Sequence, residues 1–377
     1  MRLSAEGFLR PSSRQSAKPP ELRGSAERAV FAEVCPGLSV LRPERSAEHK
    51  FDKYFGAYLA VWRAWSSDDA LRLAGSSGGV ISAITSYLVE TGEDRYVVST
   101  APEDGDPTRA APTVARSADS VMASAGSRYA PVATLGSFSR ATYESSAAIV
   151  AKPCEASAAR ALGIKSPVVI SFFCAGVPSQ DATTRLVERL GARVGAIAQL
   201  WYRGHGWPGC FTVKESSGRE SRMTYRESWG EHLGPTMQWR CKVCVDGVGE
   251  AADLSVGDLW ETDKDGYPLF EERPGVSALI ARTPRGLTLV QELVARGVLS
   301  AEEIGVDELY PVQPHQVGRR STLPGRLIGA HLGGRKVPSY PGYGLPSLFW
   351  EKPLRNIRAL LGSLIRARRS ADNSPET

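Results

Sequence analysis

Two stretches of this chain share one grammar: an apolar strand, a cysteine in the turn that follows, then a helical pattern. They are "AAIVAKPCEASAARAL" (147–162) and "PVVISFFCAGVPS" (167–179), the second continued by "ATTRLVERLG". A fully apolar run of four or five residues reads as a strand covered on both faces. Strands alternating with helices bring such runs into one sheet, so the chain is read as α/β. In such sheets, the loops leaving the strand ends converge on ligands, and here those loops carry Cys154 and Cys174.

The surrounding text agrees. "YLAVWRAW" (58–65) is strand-like, and "RYVVST" reads as a buried strand. Between them "GSSGGVISAITSYLVETG" (75–92) opens on small residues and continues as a helix with Val80, Ile81, Ile84, Tyr87 and Leu88 on one face. From "VGAIAQLWYRGHGWPGCFTVKE" onward the texture turns to strands and turns, adding α+β character to the second half. "GVSALIARTPRGLTLVQELVARGVL" reads as a strand, a turn at Pro284–Gly286 and a helix. Proline- and glycine-rich connections are expected across 314–346. The expected architecture is mixed sheets flanked by helices. It divides into an irregular extension (1–50), an α/β part (51–200), a part holding a CxxC loop (201–310) and a carboxy-terminal extension (311–377).

Composition bounds the function. With 377 residues, 42% hydrophobic, the chain can bury a sizeable core. A net charge of +5 is too small and dispersed for a nucleic-acid partner. No apolar run of about twenty residues argues for a transmembrane helix, and the amino terminus shows no secretory pattern, so a cytoplasmic location is expected. Six cysteines are too few for a disulfide scaffold in a chain of this length.

Those cysteines carry the chemistry. Cys241 and Cys244 form a CxxC, but the "VDGVGEAADLSVGD" that follows reads as a turn and a strand, whereas a thioredoxin-type motif opens a helix. Structural zinc would need two further ligands, and no second CxxC or HxxxH supplies them. Cys154 and Cys174 would complete four thiolates, the usual shell of a four-iron cluster. On residue types alone a cluster, zinc and no metal all stay open. Cys210 is read as a packing residue, and Cys35, in "VCPG", lacks the run of cysteines that would let it hold a cluster.

Other candidates are single residues. His205, in "YRGHGWPG", is the candidate catalytic proton donor. Lys152 and Arg203 are candidates for a cofactor phosphate or an anionic substrate, and Trp207 and Trp260 for stacking on a planar ring. "DLWETDKDGYP" is acidic without EF-hand spacing. In the tail, "LFWEKPLRNIRALLGSLIRARR", Leu354, Ile357, Leu361 and Leu364 share a helical face among arginines. Such a helix either packs on its own domain or makes peripheral contact with a membrane or a partner.

Together, "GSSGGVISAITSYLVETG", "AGSRYAPV", "AKPCEASAARAL", "SFFCAGVPS", "CKVCVDGVGEAADLSVGDLW" and "GVSALIARTPRG" resemble the coenzyme F420 hydrogenase/dehydrogenase beta subunit family, over roughly residues 58–300. "YRGHGWPGCFTV" is similar to a branch associated with polysaccharide biosynthesis. The resemblance implies an oxidoreductase with FAD and a 4Fe–4S cluster, using coenzyme F420 as co-substrate or a ferredoxin-like electron-transfer partner, and acting on a small molecule. It implies Cys154, Cys174, Cys241 and Cys244 as cluster ligands. On the flavin side it implies Ser76, Ser77, Gly78 and Gly79 together with Arg128 and Tyr129. Lys152 and Asp253 join them as candidate cofactor-binding residues. Many relatives begin with a ferredoxin-like module, of which "GFLRP" and "FAEVCPG" are the only echo here. The glycine-containing "DGVGE" turn is expected to offer N–H groups to the cluster.

Overall fold

Val168–Phe172 is apolar because both of its faces are covered, and it lies near the middle of an eight-stranded sheet. The computed structural model describes residues 1–11, 25–92, 95–260 and 272–371. From one edge the sheet runs Leu299–Glu303, Ala60–Ser66, Ser277–Ala281, Leu254–Asp258, Val168–Phe172, Ala148–Ala151, Val97–Glu103 and Asp106–Ala115. The four strands from Leu254–Asp258 to Val97–Glu103 are mutually parallel, and antiparallel strands extend both sides. The α/β architecture with mixed sheets flanked by helices is therefore as expected. One sheet draws strands from both the 51–200 and the 201–310 segments, because Leu254–Asp258 pairs with Val168–Phe172.

The helix Val80–Thr91 buries Val80, Ala83 and Ile84 against Trp62, Val97, Ile170 and Leu279 of this sheet. At about 25 cal/mol per Å² Val80 and Ile84 each contribute roughly 1.5–3 kcal/mol. A separate three-stranded antiparallel sheet, Ile197–Trp201, Cys210–Glu215 and Glu220–Thr224, has its own apolar cluster around Leu200, Phe211 and Val213.

Three local expectations change. Pro284–Gly286 is the first turn of the helix Pro284–Ala295: proline suits the first helical position, and Thr283 caps it by accepting from the Gly286 N–H. The 1–50 extension includes a ten-residue helix, Ser25–Val34. The region 314–346 is not all connection, since Pro314–Leu332 is one helix despite Pro324. Two of its glycines permit close approach. A Cβ at Gly325 would stand 2.1 Å from the Asn356 carbonyl oxygen and one at Gly329 2.1 Å from that of Leu360. The helix Pro353–Ala371 thus packs on its own domain, burying Asn356, Ser363 and Ala367. The Asn356 side chain ties the two helices, donating to the Ser321 carbonyl and accepting from the Gly325 N–H.

Candidate functional site

The parallel strands deliver their carboxyl ends to one side of the sheet. Ala151 leads into Lys152 and Cys154, Phe172 into Cys174, and the strand Leu254–Asp258 ends on Asp258. Above these ends lies a mainly apolar cavity of about 470 Å³, and beside it a small cleft. Cys174 and Lys152 border both.

The cleft gathers Cys154, Cys174, Cys241 and Cys244, whose loops are far apart in the chain, and all four thiols are free. Cys154 lies in the first turn of the helix Pro153–Ala161, and Cys241 in the short helix Trp239–Lys242. Cys174 is fixed by its N–H, which donates to the Gly247 carbonyl at 2.8 Å. Burial, and then Cys241, push the Cys174 thiol up to about 12. Burial likewise raises Cys154 and Cys244. Four free thiols share this cleft, and three of them, Cys154, Cys174 and Cys244, are held protonated by burial; that donor set is one that positive iron would relieve, so these residues fit a cluster. Among the described residues, no group of three or more His, Cys, Asp and Glu side chains is arranged to hold a single metal ion.

Two arginines serve the same cleft. Arg240 approaches the Cys154 sulfur at 3.7 Å. Arg319, from the helix Pro314–Leu332, donates to the carbonyls of Cys174 at 3.0 Å and Ala175 at 3.1 Å. Both are held more basic than usual: burial opposes their charge, but the neighbouring cysteines outweigh it. The "DGVGE" turn does not offer its N–H groups to the sulfurs. Val248, Gly249 and Glu250 instead donate theirs to the Asp246 carboxylate at 2.8–2.9 Å. A carboxylate two to four residues upstream is the nearer acceptor.

The cavity is walled on one side by the Ser76–Gly79 turn. Ser76, Ser77 and Gly79 face it, whereas Gly78 does not: a Cβ there would meet the Ala64 carbonyl at 2.6 Å, so this glycine serves strand packing. The turn is bolted to the sheet, with the Gly78 N–H and the Ser77 hydroxyl both at 2.9 Å from the Ser277 hydroxyl. Gly79 caps the helix Val80–Thr91 at φ 70° without any side-chain cap, leaving N–H groups at the cavity wall. Arg128, Tyr129 and Lys152 also line it. Lys152 is buried, donates to the Val132 carbonyl at 2.9 Å and pairs with Glu155 at 2.7 Å. Burial opposes its charge, yet Glu155 keeps it more basic than usual.

Arg203, with Lys152 a sequence candidate for a cofactor phosphate or an anionic substrate, is buried at the cavity wall. Only 2% exposed, it pairs with Asp258 at 2.7 Å and donates to the Pro208 and Ser76 carbonyls. Trp207, Tyr225 and Trp260 surround its guanidinium at 4.6–5.2 Å. Trp260 borders the cavity, and Trp207 lies behind it, ring to ring at 4.3 Å.

Two candidates fall elsewhere. His205 is exposed at φ 54°, makes a T-shaped contact with Trp201 at 4.6 Å between ring centres and does not line the cavity. Asp253 lies at the start of its strand, away from both hollows, where its carboxylate accepts from the Val169 N–H and the Thr283 hydroxyl and pairs with Arg160 and Arg285 at 2.7 Å. Cys210 also lies outside the site, and Cys35 is near enough to act on Arg240 without lining the cleft. The acidic stretch after Trp260 lies largely outside the described residues.

Family models of the coenzyme F420 hydrogenase/dehydrogenase beta subunit match residues 61–138 for its N-terminal part and 145–306 for its C-terminal part. This chain belongs to that family. It is 26% identical over 278 residues to the coenzyme F420 hydrogenase subunit beta of Methanococcus voltae. The same subunit of Methanothermobacter thermautotrophicus is 23% identical over 274 residues. Each alignment covers 68% of this chain and 88% of the relative. A chain of the xenon-derivatized F420-reducing NiFe hydrogenase complex from Methanosarcina barkeri shares the fold at TM-score 0.57 and 20% identity, over 74% of this chain and 95% of that one. The matched regions contain Ser76, Arg203, Asp258 and all four cleft cysteines, whereas Arg319 lies beyond them.

Proposed function

We propose that this chain is a flavin- and iron–sulfur-dependent oxidoreductase subunit that passes electrons between FAD, a 4Fe–4S cluster and either coenzyme F420 or a ferredoxin-like donor. The observation that carries this reading is the shared wall: Cys174 borders both the four-cysteine cleft and the apolar cavity. A flavin there couples two-electron donors to one-electron carriers.

The chain's own residues divide the work. Cys154, Cys174, Cys241 and Cys244 would hold the cluster, with Arg240 and Arg319 offsetting its negative charge. Ser76, Ser77 and Gly79 shape the wall for the isoalloxazine, and the uncapped start of the helix Val80–Thr91 accepts an anionic phosphate. Lys152 and Arg128 add positive charge to the same wall. Arg203 and Asp258 hold the turn, the cis Trp207–Pro208 loop and the strand end in one place, and the aromatic lining excludes water. His205 and Asp253 have no part in this assignment.

Anaerobically purified chain should be brown, show flavin absorbance that bleaches with reduced coenzyme F420, and contain about four irons per chain. A colourless, iron-free product after anaerobic reconstitution refutes the reading. An electron-relay role inside a larger complex is the second reading, favoured by relatives named as hydrogenase subunits. It predicts bound FAD with no turnover by the isolated chain.

A further inference from the structure

The helix Pro353–Ala371 shows two unlike faces. Asn356, Ser363 and Ala367 are buried against the helix Pro314–Leu332, where Gly325 and Gly329 permit contact with the backbone. The opposite face exposes Leu354 at 73%, Ile357 at 46%, Leu361 at 52% and Ile365 at 51%, and Trp350 just ahead of it at 76%. At 1.5 Å per residue, Leu354 to Ile365 makes an apolar strip of roughly 17 Å on the outside of the protein. The helix Pro314–Leu332 adds exposed Ile328 and Leu332.

Charge identifies the occupant. From Leu309 to Ala371 there are eleven Lys and Arg and a single acid, Glu351, whereas the whole chain carries only +5. Eight of the eleven lie in the helices Pro314–Leu332 and Pro353–Ala371, beyond residue 306, where the family match ends; Arg319 and Arg320 among them are buried. Exposed Arg355, Arg358, Arg366 and Arg368 are interleaved with the apolar strip. A second copy on this face would set those arginines against their like. No helix among the described residues is long and apolar enough to cross a membrane. An apolar strip flanked by arginines, with a tryptophan at one end, suits a helix lying in the plane of an anionic lipid surface.

We propose that the helix Pro353–Ala371 docks this protein on anionic membranes, its Leu354–Ile365 strip entering the acyl boundary and its arginines meeting lipid phosphates. The same helical pair reaches the cysteine cleft, because Arg319 donates to the Cys174 carbonyl. The helix that carries the docked face is therefore packed on the helix that reaches the candidate redox site.

The test is co-sedimentation of the full chain with vesicles of phosphatidylcholine alone and of an equal mixture with phosphatidylglycerol. Binding is expected to the mixed vesicles only, weakening on the order of tenfold in high salt and in the exposed-residue double variant Leu354→Ser/Leu361→Ser. Arg355→Gln/Arg358→Gln should weaken it likewise. These variants change no residue of the cavity or cleft, and bound flavin and iron in each reports separately on the redox reading. Absence of binding to anionic vesicles overturns the proposal, as does binding that both double variants leave unchanged. A wild-type dimer that the leucine variant turns into monomer without any vesicle binding assigns the strip to self-association and overturns it too.

Discussion

Arg203 and Asp258 meet at 2.7 Å although they are 55 residues apart, and the arginine is sealed beneath Trp207, Tyr225 and Trp260. The pair joins the small sheet, the Ser76 turn and the end of a central strand. Burial opposes the guanidinium charge, but Asp258 keeps it strongly basic, so it is charged at any working pH. Arg203→Met leaves the carboxylate without its partner and should cost about 3–5 kcal/mol. Chemical denaturation measures that loss, and flavin content should fall with it.

Removing a cleft thiol should separate the two proposed cofactors. Cys241→Ser is expected to lower bound iron severalfold while flavin absorbance persists, since Cys241 borders the cleft and not the cavity. Loss of flavin alone would contradict the assignment.

Arg319→Gln removes a buried positive charge whose side chain contacts the Cys174 and Ala175 carbonyls. The reduction potential of the cluster should fall by on the order of tens of mV, because its reduced form gains negative charge. A redox titration followed by electron paramagnetic resonance reads the shift.

Asp253 is expected to contribute to acid stability. Burial alone would raise its pKa, but Arg160, the Val169 N–H, Thr283 and Arg285 together hold it below the ordinary value of 3.8. Its contribution is therefore complete above that value and is lost as pH falls through the lower folded value. Asp253→Asn should cost about 2–4 kcal/mol near neutrality. The gap in melting temperature from the native chain should close in strong acid.

Gly329→Val tests the helical pair. A Cβ stands 2.1 Å from the Leu360 carbonyl oxygen, so the helices must separate, at about 1–3 kcal/mol. A lower melting temperature checks it, and a neutral result would mean the pair is not closely packed in solution.

The sequence by itself marked six of the sheet's eight strands, all but Asp106–Ala115 and Leu299–Glu303, because strand and helix chemistry are local, whereas the grouping of the four cysteines followed from the family resemblance. Apolar runs such as "VVIS" read as buried strands, and the turns after them share a side because those strands pair in parallel. It did not show that Gly78 packs on Ala64, that Asp246 captures its own turn, or that 314–332 is a helix whose Gly325 and Gly329 admit a second helix. Nor did it show that His205 and Asp253 face away from the cavity. Those outcomes depend on which backbone or charge arrives from a distant segment. Arg319 reaches Cys174 across 145 residues, a partnership that no local pattern encodes and only tertiary packing decides.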